Sequence, residues 1–305
     1  MGLPFVLDME TSDPDDFLTL LLLLGHPQVD LKAVTITPGT REQVGLVRQA
    51  LAWFGREDIK VGAYDPERQK DCVSAWHYSA YPQLKRVEAD PDDLGWQVLD
   101  RTLHRDVTMI EGAAPKNLGT LLRVMGMRLY DQAPCLGNLF FQGGFAGEGV
   151  VPPQYQLEKF RGRVTCPSFN PNGDPEATLR ILSHWSYYID LRFVSKNVCH
   201  GVVYDRELHT TFTEALTDSP DRTSLSHRLV HQGMTAYLAT HPGGKAFHDP
   251  LAAMCAINPY IGEWANVELY REKGEWGSRP SGTSGVRIIT NYDHQRFVDT
   301  LLGRA

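Results

Sequence analysis

The sequence has few cysteines and none of the spacings that mark a structural zinc site. Cys72, Cys135, Cys166, Cys199 and Cys255 are odd in number and widely scattered, without a C-x-x-C pair. This pattern argues against a disulfide framework and favours a reducing compartment. The chain also starts without a basic segment followed by an apolar core and a cleavage site, so we expect a cytoplasmic protein.

Long apolar runs and an excess of positive charge are also absent. The leucine run Leu20–Leu24 is far too short to span a bilayer. The formal net charge of −7 argues against binding to nucleic-acid backbones through a basic face. The dinucleotide fingerprint G-x-G-x-x-G does not occur. We therefore expect neither a membrane nor a nucleic acid as a partner.

An acidic stretch lies near the N-terminus. Five of the nine residues from Asp8 to Asp16 are carboxylates, and they separate the apolar segments Phe5–Leu7 and Phe17–Leu24. Phe5–Leu7 has strand character, whereas Asp13-Pro14 is typical of the N-cap and first residue of a helix. Crowded carboxylates need a counterion to stay ionised, and Ca²⁺ or Mg²⁺ with oxygen ligands fits better than zinc. The alternative is a solvated acidic loop that only caps the helix.

Segments with strand and helix character alternate along most of the 305-residue chain, whose 42% apolar and 22% charged residues are ordinary for a globular protein. The predicted strands are Phe5–Leu7, Leu31–Thr37, Ile59–Gly62, Val107–Ile110, Asn138–Phe141, Leu191–Val194, Asn266–Lys273 and Val286–Thr290. The predicted helices include Phe17–Leu24, Glu42–Phe54, Gly95–Leu103, Leu118–Met125, Leu225–Leu238, Leu251–Ile257 and Asp293–Leu302. This order is typical of parallel sheets. With no internal repeat or clear linker, the sequence predicts one α/β domain over residues 1–305, with a mostly parallel open sheet flanked by helices.

Two further motifs precede predicted helices. His248-Asp249-Pro250 stands before Leu251–Ile257, and Ser168-Phe-Asn170 precedes Asp174-Pro175. Each has a purely structural interpretation, because an aspartate followed by proline is a common helix start. His248 would then be an ordinary part-buried histidine.

Taken in chain order, these motifs resemble those of the inosine-uridine-preferring nucleoside hydrolases. These are Ca²⁺ enzymes that cleave the N-glycosidic bond of ribonucleosides. The family usually has Asp-x-Asp-Pro-Gly-x-Asp-Asp after the first strand, and here Asp8, Asp15 and Asp16 match. Glu10 replaces the second aspartate, with one extra residue before the final pair. The family's His-Asp-Pro occurs unchanged, whereas its Glu-Phe-Asn has Ser168 in place of glutamate.

The resemblance implies a role for each of these residues. The implied Ca²⁺ ligands are Asp8, Glu10, Asp15, Asp249 and the backbone carbonyl of Glu111. Glu10 would also be the general base, and His248 would protonate the departing base. The implied substrate-binding residues are Asp16, Ser168 and Asn170. Trp76, in the polar stretch 65–93, would either stack on the nucleobase or hold a surface loop in place.

The predicted function is Ca²⁺-dependent hydrolysis of the N-glycosidic bond of a ribonucleoside or related ribosylated compound, with release of base and ribose. Glu10 and Ser168 depart from the family sequence. The alternative is therefore a catalytically weakened relative that binds a ribosylated ligand without turnover. The predicted partner is a small nucleoside-type molecule, and analogy with the family suggests a homodimer or homotetramer.

Overall fold

The computed structural model describes residues 2–127 and 134–304. Its strands are β1 (Leu3–Met9), β2 (Val29–Ile36), β3 (Lys60–Ala63), β4 (Asp93–Leu94), β5 (Thr108–Glu111), β6 (Asn138–Gln142), β7 (Thr165–Cys166), β8 (Asp190–Val194), β9 (Val203–Tyr204), β10 (Lys245–Ala246), β11 (Gly262–Glu272), β12 (Glu275–Pro280) and β13 (Val286–Tyr292). Its α-helices are α1 (Pro14–Gly25), α2 (Arg41–Trp53), α3 (Ala75–Ala80), α4 (Gly95–Thr102), α5 (Lys116–Met125), α6 (Phe169–Gly173), α7 (Pro175–Ser183), α8 (Lys196–Cys199), α9 (Arg206–Ala215), α10 (Arg222–Thr240), α11 (His248–Ile257) and α12 (His294–Leu301). Within these described ranges, no helix combines the length and apolar character needed to cross a membrane.

The described strands form one sheet of 11 strands and a separate two-stranded pair, β10-β9. The order in the large sheet is β4-β3-β2-β1-β5-β6-β8-β13-β11-β12-β7. Neighbours from β4 to β13 in that order are parallel, and β11, β12 and β7 extend the sheet in antiparallel fashion. The predicted single-domain α/β fold with a mostly parallel sheet is confirmed.

Strand β1 lies where the order of the strands reverses. The chain adds β2, β3 and β4 on one side of β1, then β5 and β6 on the other. Asp8 near the end of β1 pairs with Thr35 of β2 and Glu111 of β5. Ligands of open α/β sheets bind beyond the carboxyl ends of the strands at such a reversal. The acidic stretch leaves β1 at this place.

Helix α1 occupies the interior on one face of the sheet. Asp13 caps it by accepting a hydrogen bond from the backbone N–H of Asp15 at 3.4 Å, and Pro14 is its first residue, as predicted. Every residue from Pro14 to Gly25 is buried, because α1 packs against α10 and α11. An all-round apolar helix is stable only in such a position. Its first turn therefore carries Asp15 and Asp16 into the protein interior.

The opposite face of the sheet is covered by α4, α5 and α7, which contribute a second apolar core. The polar stretch 65–93 contains the short helix α3, and the irregular region before α10 contains α9. Neither helix was predicted, since α3 has only six residues and α9 is rich in threonine, which lowers helix propensity.

Candidate active site

A cavity of about 390 Å³ opens at the carboxyl ends of β1, β5, β6 and β8. Five carboxylates line one side of it. These are Glu10, Asp13, Asp15, Asp16 and Asp249, which we call the acid cluster. The sequence predicted that acids from the two ends of the chain would meet, and they do so here.

Asp15 joins the two ends directly. Its Oδ2 accepts hydrogen bonds from the backbone N–H groups of His248 at 3.1 Å and Asp249 at 3.4 Å. Its Oδ1 accepts from Lys245 Nζ at 3.1 Å. The carboxylate thus satisfies free N–H groups at the start of α11. Helix α11 begins at His248 after Phe247, so the interpretation of Asp249 as the N-cap was wrong.

Asp16 and Asp249 complete the buried part of the cluster. Asp16 Oδ1 accepts a hydrogen bond from the backbone N–H of Glu10 at 3.0 Å. Asp249 Oδ1 is buried without a partner among the described residues. One oxygen each from Asp15, Asp16 and Asp249 lie within 4.8 Å of one another. Burial and then the neighbouring carboxylates raise the pKa of both Asp16 and Asp249 well above the ordinary value. Buried oxygens that repel one another in this way fit a hard divalent cation.

Gly112 allows this arrangement by its lack of a side chain. A Cβ atom at this position would lie 3.0 Å from Asp249 Oδ1 and 3.2 Å from the carbonyl oxygen of Asp8. Any larger residue would therefore push into the acid cluster. The requirement explains a glycine immediately after β5 without any need for unusual backbone angles.

Glu10 lines the same cavity at the point where β1 ends. Burial, followed by repulsion from Asp13 and Asp15, raises the pKa of Glu10 to about 7, although a hydrogen bond with Ser12 opposes this shift. A carboxyl group with a pKa near neutrality is suited to general base catalysis.

Lys245 is a buried cation beside the acid cluster that the sequence analysis missed. Its Nζ lies 2.8 Å from Asp13 Oδ1 and 3.1 Å from Asp15 Oδ1, and it donates to the carbonyl of Ala246 at 3.0 Å. Burial lowers its pKa, but Asp15 and Asp13 together raise the pKa above the ordinary value, so the amine stays charged. Nothing in the segment around Lys245 signals this contact, because its partners are at the other end of the chain.

His248 lines the cavity with its ring beside Asp15 and His200. The distance from Nδ1 to Asp15 Oδ2 is 3.9 Å, and the centroids of the two imidazole rings are 4.5 Å apart. Its Nε2 is buried without a hydrogen-bond partner in the described part of the chain. Burial, reinforced by Lys245, lowers the pKa of His248 to about 4. The neutral ring therefore predominates near pH 7.

A second group of potential metal ligands adjoins the cavity. Cys199, His200 and His248 each offer one ligand atom within 4.8 Å of the others. Burial raises the pKa of the Cys199 thiol to about 12, and a thiol must lose its proton to bind a metal. The acid cluster offers buried carboxylate oxygens, which a hard divalent cation such as Ca²⁺ prefers to sulfur and imidazole nitrogen, and it is the better site for such an ion.

The cavity is also lined by Ser168, Phe169 and Asn170. Asn170 Nδ2 donates to the carbonyl of Gly112 at 2.9 Å and to Gln142 Oε1 at 2.8 Å. Ser168 Oγ accepts from the backbone N–H of Gly144 at 3.0 Å. Phe169 is 74% exposed although it borders the cavity. It was missed because the pattern gives no reason to place a phenylalanine on a surface.

Two of the predicted metal ligands have side chains outside the cavity wall. Asp8 is fully buried, accepts from Asn117 Nδ2 at 3.3 and 3.4 Å, and lies beside Glu111. Burial raises its pKa to about 7. Both side-chain oxygens of Glu111 are buried and unpartnered among the described residues. The predicted Glu111 ligand is its backbone carbonyl, which lies next to the cavity-lining Gly112.

Trp76 is not brought to the cavity, so the structure does not support its predicted place at the nucleobase. Its ring packs against His77 and Tyr81, with centroid distances of 5.2 and 5.6 Å, and against Gly233 of α10. It holds the 65–93 segment onto the body of the protein. An aromatic cluster in a long polar segment is compatible with either role, and only the position of α10 decides between them.

Comparison with known proteins identifies the family. A family model described as inosine-uridine preferring nucleoside hydrolase matches residues 5–299. The chain belongs to this family. The prediction from the motifs is thereby confirmed, together with the class of enzyme, hydrolases that act on N-glycosyl bonds.

Individual relatives of this nucleoside hydrolase family member are distant but cover 90% or more of its length. An uncharacterized protein of Aquifex aeolicus is 26% identical over 283 residues, 90% of this chain and 89% of that protein. The pyrimidine-specific ribonucleoside hydrolase RihA of Shigella flexneri is 23% identical over 100% of this chain and 98% of its own.

Solved structures show the same fold at lower identity. A plant nucleoside hydrolase has a TM-score of 0.71 and 18% identity, over 100% of this chain and 99% of its own. The inosine-uridine preferring nucleoside hydrolase of Bacillus anthracis has a TM-score of 0.67 and 18% identity, with the same coverage.

Proposed function

We propose that the protein hydrolyses the N-glycosidic bond of a ribonucleoside or related ribosylated compound, with Ca²⁺ bound by the acid cluster. The observation that carries this proposal is the meeting of Asp15 and Asp16 with Asp249 in one cavity that also contains Glu10 and Asn170. The family supports the reaction class, and the donor atoms support the ion.

The metal would be held by Asp16, Asp249, Glu10 and the backbone carbonyl of Glu111. Asp15 is the weaker ligand, since hydrogen-bond donors already occupy both its oxygens. The roles expected for Asp15 and Asp16 are therefore exchanged in this proposal. Asp8 supports the site from behind. A bound Ca²⁺ supplies positive charge that compensates the carboxylates and attracts the ribose hydroxyls.

Glu10 takes a proton from the water molecule that attacks C1′ of the ribose. The C–O bond forms as the C–N bond breaks, and the leaving base keeps the bonding electron pair and receives a proton from His248. Positive charge develops on the ribosyl ring in between, so nearby carboxylates stabilise the transition state more than the ground state. Burial lowers the pKa of His248 to about 4, so we expect the protonated ring to be a minor species in the free protein. Binding of the substrate must then raise the protonated fraction.

We assign ribose binding to Asn170 and Ser168. The side chain of Ser168 is shorter than the glutamate that the family has at this position. Gln142 Oε1 accepts a hydrogen bond from Asn170 Nδ2 at 2.8 Å and holds the amide group in place. The free, scattered cysteines support action in the cytoplasm. A homodimer or homotetramer is proposed by analogy with the family alone.

The alternative is binding without turnover. It is favoured by Glu10, whose extra methylene shifts the proposed base relative to the family's aspartate. A displacement of about 1 Å can cost on the order of 10²-fold in rate. The extra residue before Asp15 is the feature that would compensate.

Release of base from uridine, cytidine, inosine and adenosine by EDTA-treated protein, with and without added Ca²⁺, tests both functions. We expect Ca²⁺-dependent release by the natural protein and by the control Glu57→Gln, an exposed site. Glu10→Gln should lower kcat by about 10²-fold or more. Saturable, Ca²⁺-dependent binding of a nucleoside without release would favour the alternative. If the protein neither releases a base nor binds a nucleoside, both functions are refuted.

A further inference from the structure

One part of the cavity lining carries positive charge. Lys196 and His200 belong to this part, and Lys159 contacts His200 from outside. We call these three residues the basic rim. Both lysine Nζ atoms lie over the ring of Phe160, at 5.2 Å for Lys159 and 5.9 Å for Lys196. The ring of Phe160 also contacts the His200 ring at a centroid distance of 5.5 Å.

The two lysines have no acidic partner. Across residues 2–127 and 134–304, no carboxylate oxygen lies within 4.0 Å of either Nζ; the lysines that do have such a partner are Lys32, Lys60, Lys245 and Lys273. Lys196 Nζ donates to the carbonyl of Pro167 at 2.9 Å. Two ammonium groups held near one aromatic ring repel each other, and neither is neutralised. In a chain with a net charge of −7 this is a local excess of the opposite sign.

The polar groups that the basic rim presents to a ligand are all hydrogen-bond donors. Lys159 Nζ lies 2.9 Å from His200 Nδ1, which must accept because an ammonium group can only donate. In the neutral ring Nε2 then carries the hydrogen. Burial, followed by His248 and the lysines, lowers the pKa of His200 to about 3, which keeps the ring neutral. The rim therefore offers two ammonium groups and one N–H, the donor set that phosphate and carboxylate groups accept from.

The basic rim lies within reach of the same ligand as the acid cluster. The His200 and His248 rings are 4.5 Å apart, and His248 is the residue before Asp249. A ribosylated molecule with its hydroxyls at the acid cluster would extend past His248 toward the rim. Groups of opposite charge in one cavity would orient such a molecule in a single direction.

We propose that the basic rim binds an anionic group, a phosphate or a carboxylate, carried by the ribosylated substrate. This inference rests on the proposed function for the identity of the rest of the molecule. It adds that the preferred substrate is an anionic ribosylated compound, with the charge either on the leaving base or on the 5′ position of the ribose.

Three compounds with the same uracil ring test the proposal. Uridine is neutral, orotidine carries a carboxylate on the base, and uridine 5′-monophosphate carries a phosphate on the ribose. We expect one of the two anions to bind the Ca²⁺-loaded protein about 10- to 100-fold more tightly than uridine, measured by calorimetry and repeated as kcat/KM. The preferred anion identifies the position of the charge.

Variants connect the preference to the rim. Lys196→Gln should remove most of the advantage of the anion, and Lys196→Arg should keep it. Lys159→Gln should lower it less, because that lysine acts partly through His200. The matched control is Lys60→Gln, at the amino end of β3 and far from the cavity. Raising the salt concentration should weaken binding of the anion more than binding of uridine.

The outcomes separate this inference from the proposed function. Either of two results would overturn the basic rim as an anion site. In the first, uridine binds as tightly as both anions. In the second, the preference for an anion is unchanged in both Lys196→Gln and Lys159→Gln. Tight, lysine-dependent binding of an anion without cleavage would support the rim and refute the proposed hydrolysis. Cleavage of uridine without any preference for an anion would support the proposed hydrolysis and refute the rim as an anion site.

Discussion

The acid cluster and the basic rim share one cavity but are built in different ways. Asp15, Asp16 and Asp249 sit on the first turns of α1 and α11 and are almost fully buried. Lys159 is exposed and Lys196 half-buried, on short segments after β6 and β8. Buried helix starts can fix a set of ligands with little freedom. Surface segments instead leave room for a substrate to be chosen by charge and shape.

The acid cluster and the basic rim also differ in how much they lower the free energy of unfolding. The acid cluster concentrates five carboxylates around one buried lysine, so in the absence of a cation it opposes folding. The rim costs less, because Lys159 is exposed and Lys196 is only half-buried. We therefore expect changes in the acid cluster to alter both chemistry and stability, and changes in the cavity wall near the rim to alter substrate binding alone.

The largest effect should follow from removing a metal ligand. We expect Asp16→Asn and Asp249→Asn each to lower kcat/KM for the best substrate by more than about 10²-fold, since even outer partners of metal ligands typically cost 10- to 100-fold. Steady-state kinetics across Ca²⁺ concentrations is the measurement. The exposed Asp218→Asn is the control. Full activity of Asp249→Asn would show that the cluster does not hold the ion used in the reaction.

A smaller and selective effect should follow from His248→Ala. We expect a loss of about 10²-fold with ordinary nucleosides, whose bases need a proton to leave. With p-nitrophenyl riboside, whose leaving group departs as an anion, the rate should change little. Kinetics with both substrates gives the ratio. An equal loss for the two would mean that His248 positions the substrate and does not protonate the base.

Phe169 tests the wall near the rim. Because its exposed ring borders the cavity, we expect Phe169→Ala to raise KM by about 5-fold or more through lost stacking on the base, with kcat nearly unchanged. Phe169→Tyr should restore KM. Thermal unfolding should be the same for all three proteins, and a marked loss of stability in Phe169→Ala would place the ring in the core instead.

The stability of the metal-free protein should depend on pH in a defined direction. The pKa values of Asp8 and Glu10 are raised to about 7, above their unfolded values of about 4. Their contribution to stability is therefore complete below about pH 4 and is lost as the pH rises through about 7. Buried histidines with lowered pKa values, such as His77 at about 4, act in the opposite sense at acidic pH.

The informative window is therefore between about pH 7 and 8, where most histidines, with an unfolded pKa of about 6.5, are neutral in both states. In EDTA we expect the unfolding temperature to fall by a few degrees across this window, and added Ca²⁺ to restore it more at the upper end. Asp16→Asn should show a smaller fall and no Ca²⁺ effect. A metal-free protein that becomes more stable toward pH 8 would contradict the account.

Much of the fold and part of the site could be predicted, for a physical reason that the acid cluster illustrates. Asp13-Pro14 lies at an element boundary, where local rules of helix start specify the position of a side chain, whereas the place of Asp249 was implied by the resemblance to the family and not by its supposed helix cap. The alternation of apolar segments likewise predicted the parallel sheet. Both kinds of signal are contained within about ten neighbouring residues.

What could not be predicted depends on contacts between distant segments. Lys245 meets Asp13 and Asp15 only because β10 folds back to α1, and His200 accepts from Lys159 across a loop. Trp76 was misplaced for the same reason, since the helix that covers its ring comes much later in the chain. The exchange of roles that we propose for Asp15 and Asp16 also rests on contacts with the backbone of α11.

Calcium titration of EDTA-treated protein by calorimetry tests the central claim most directly. The account predicts one Ca²⁺ per chain, bound through carboxylates from both ends of the sequence, and loss of that binding in both Asp16→Asn and Asp249→Asn but not in Asp218→Asn. Failure of the natural protein to bind Ca²⁺, or undiminished binding by Asp249→Asn, would contradict it.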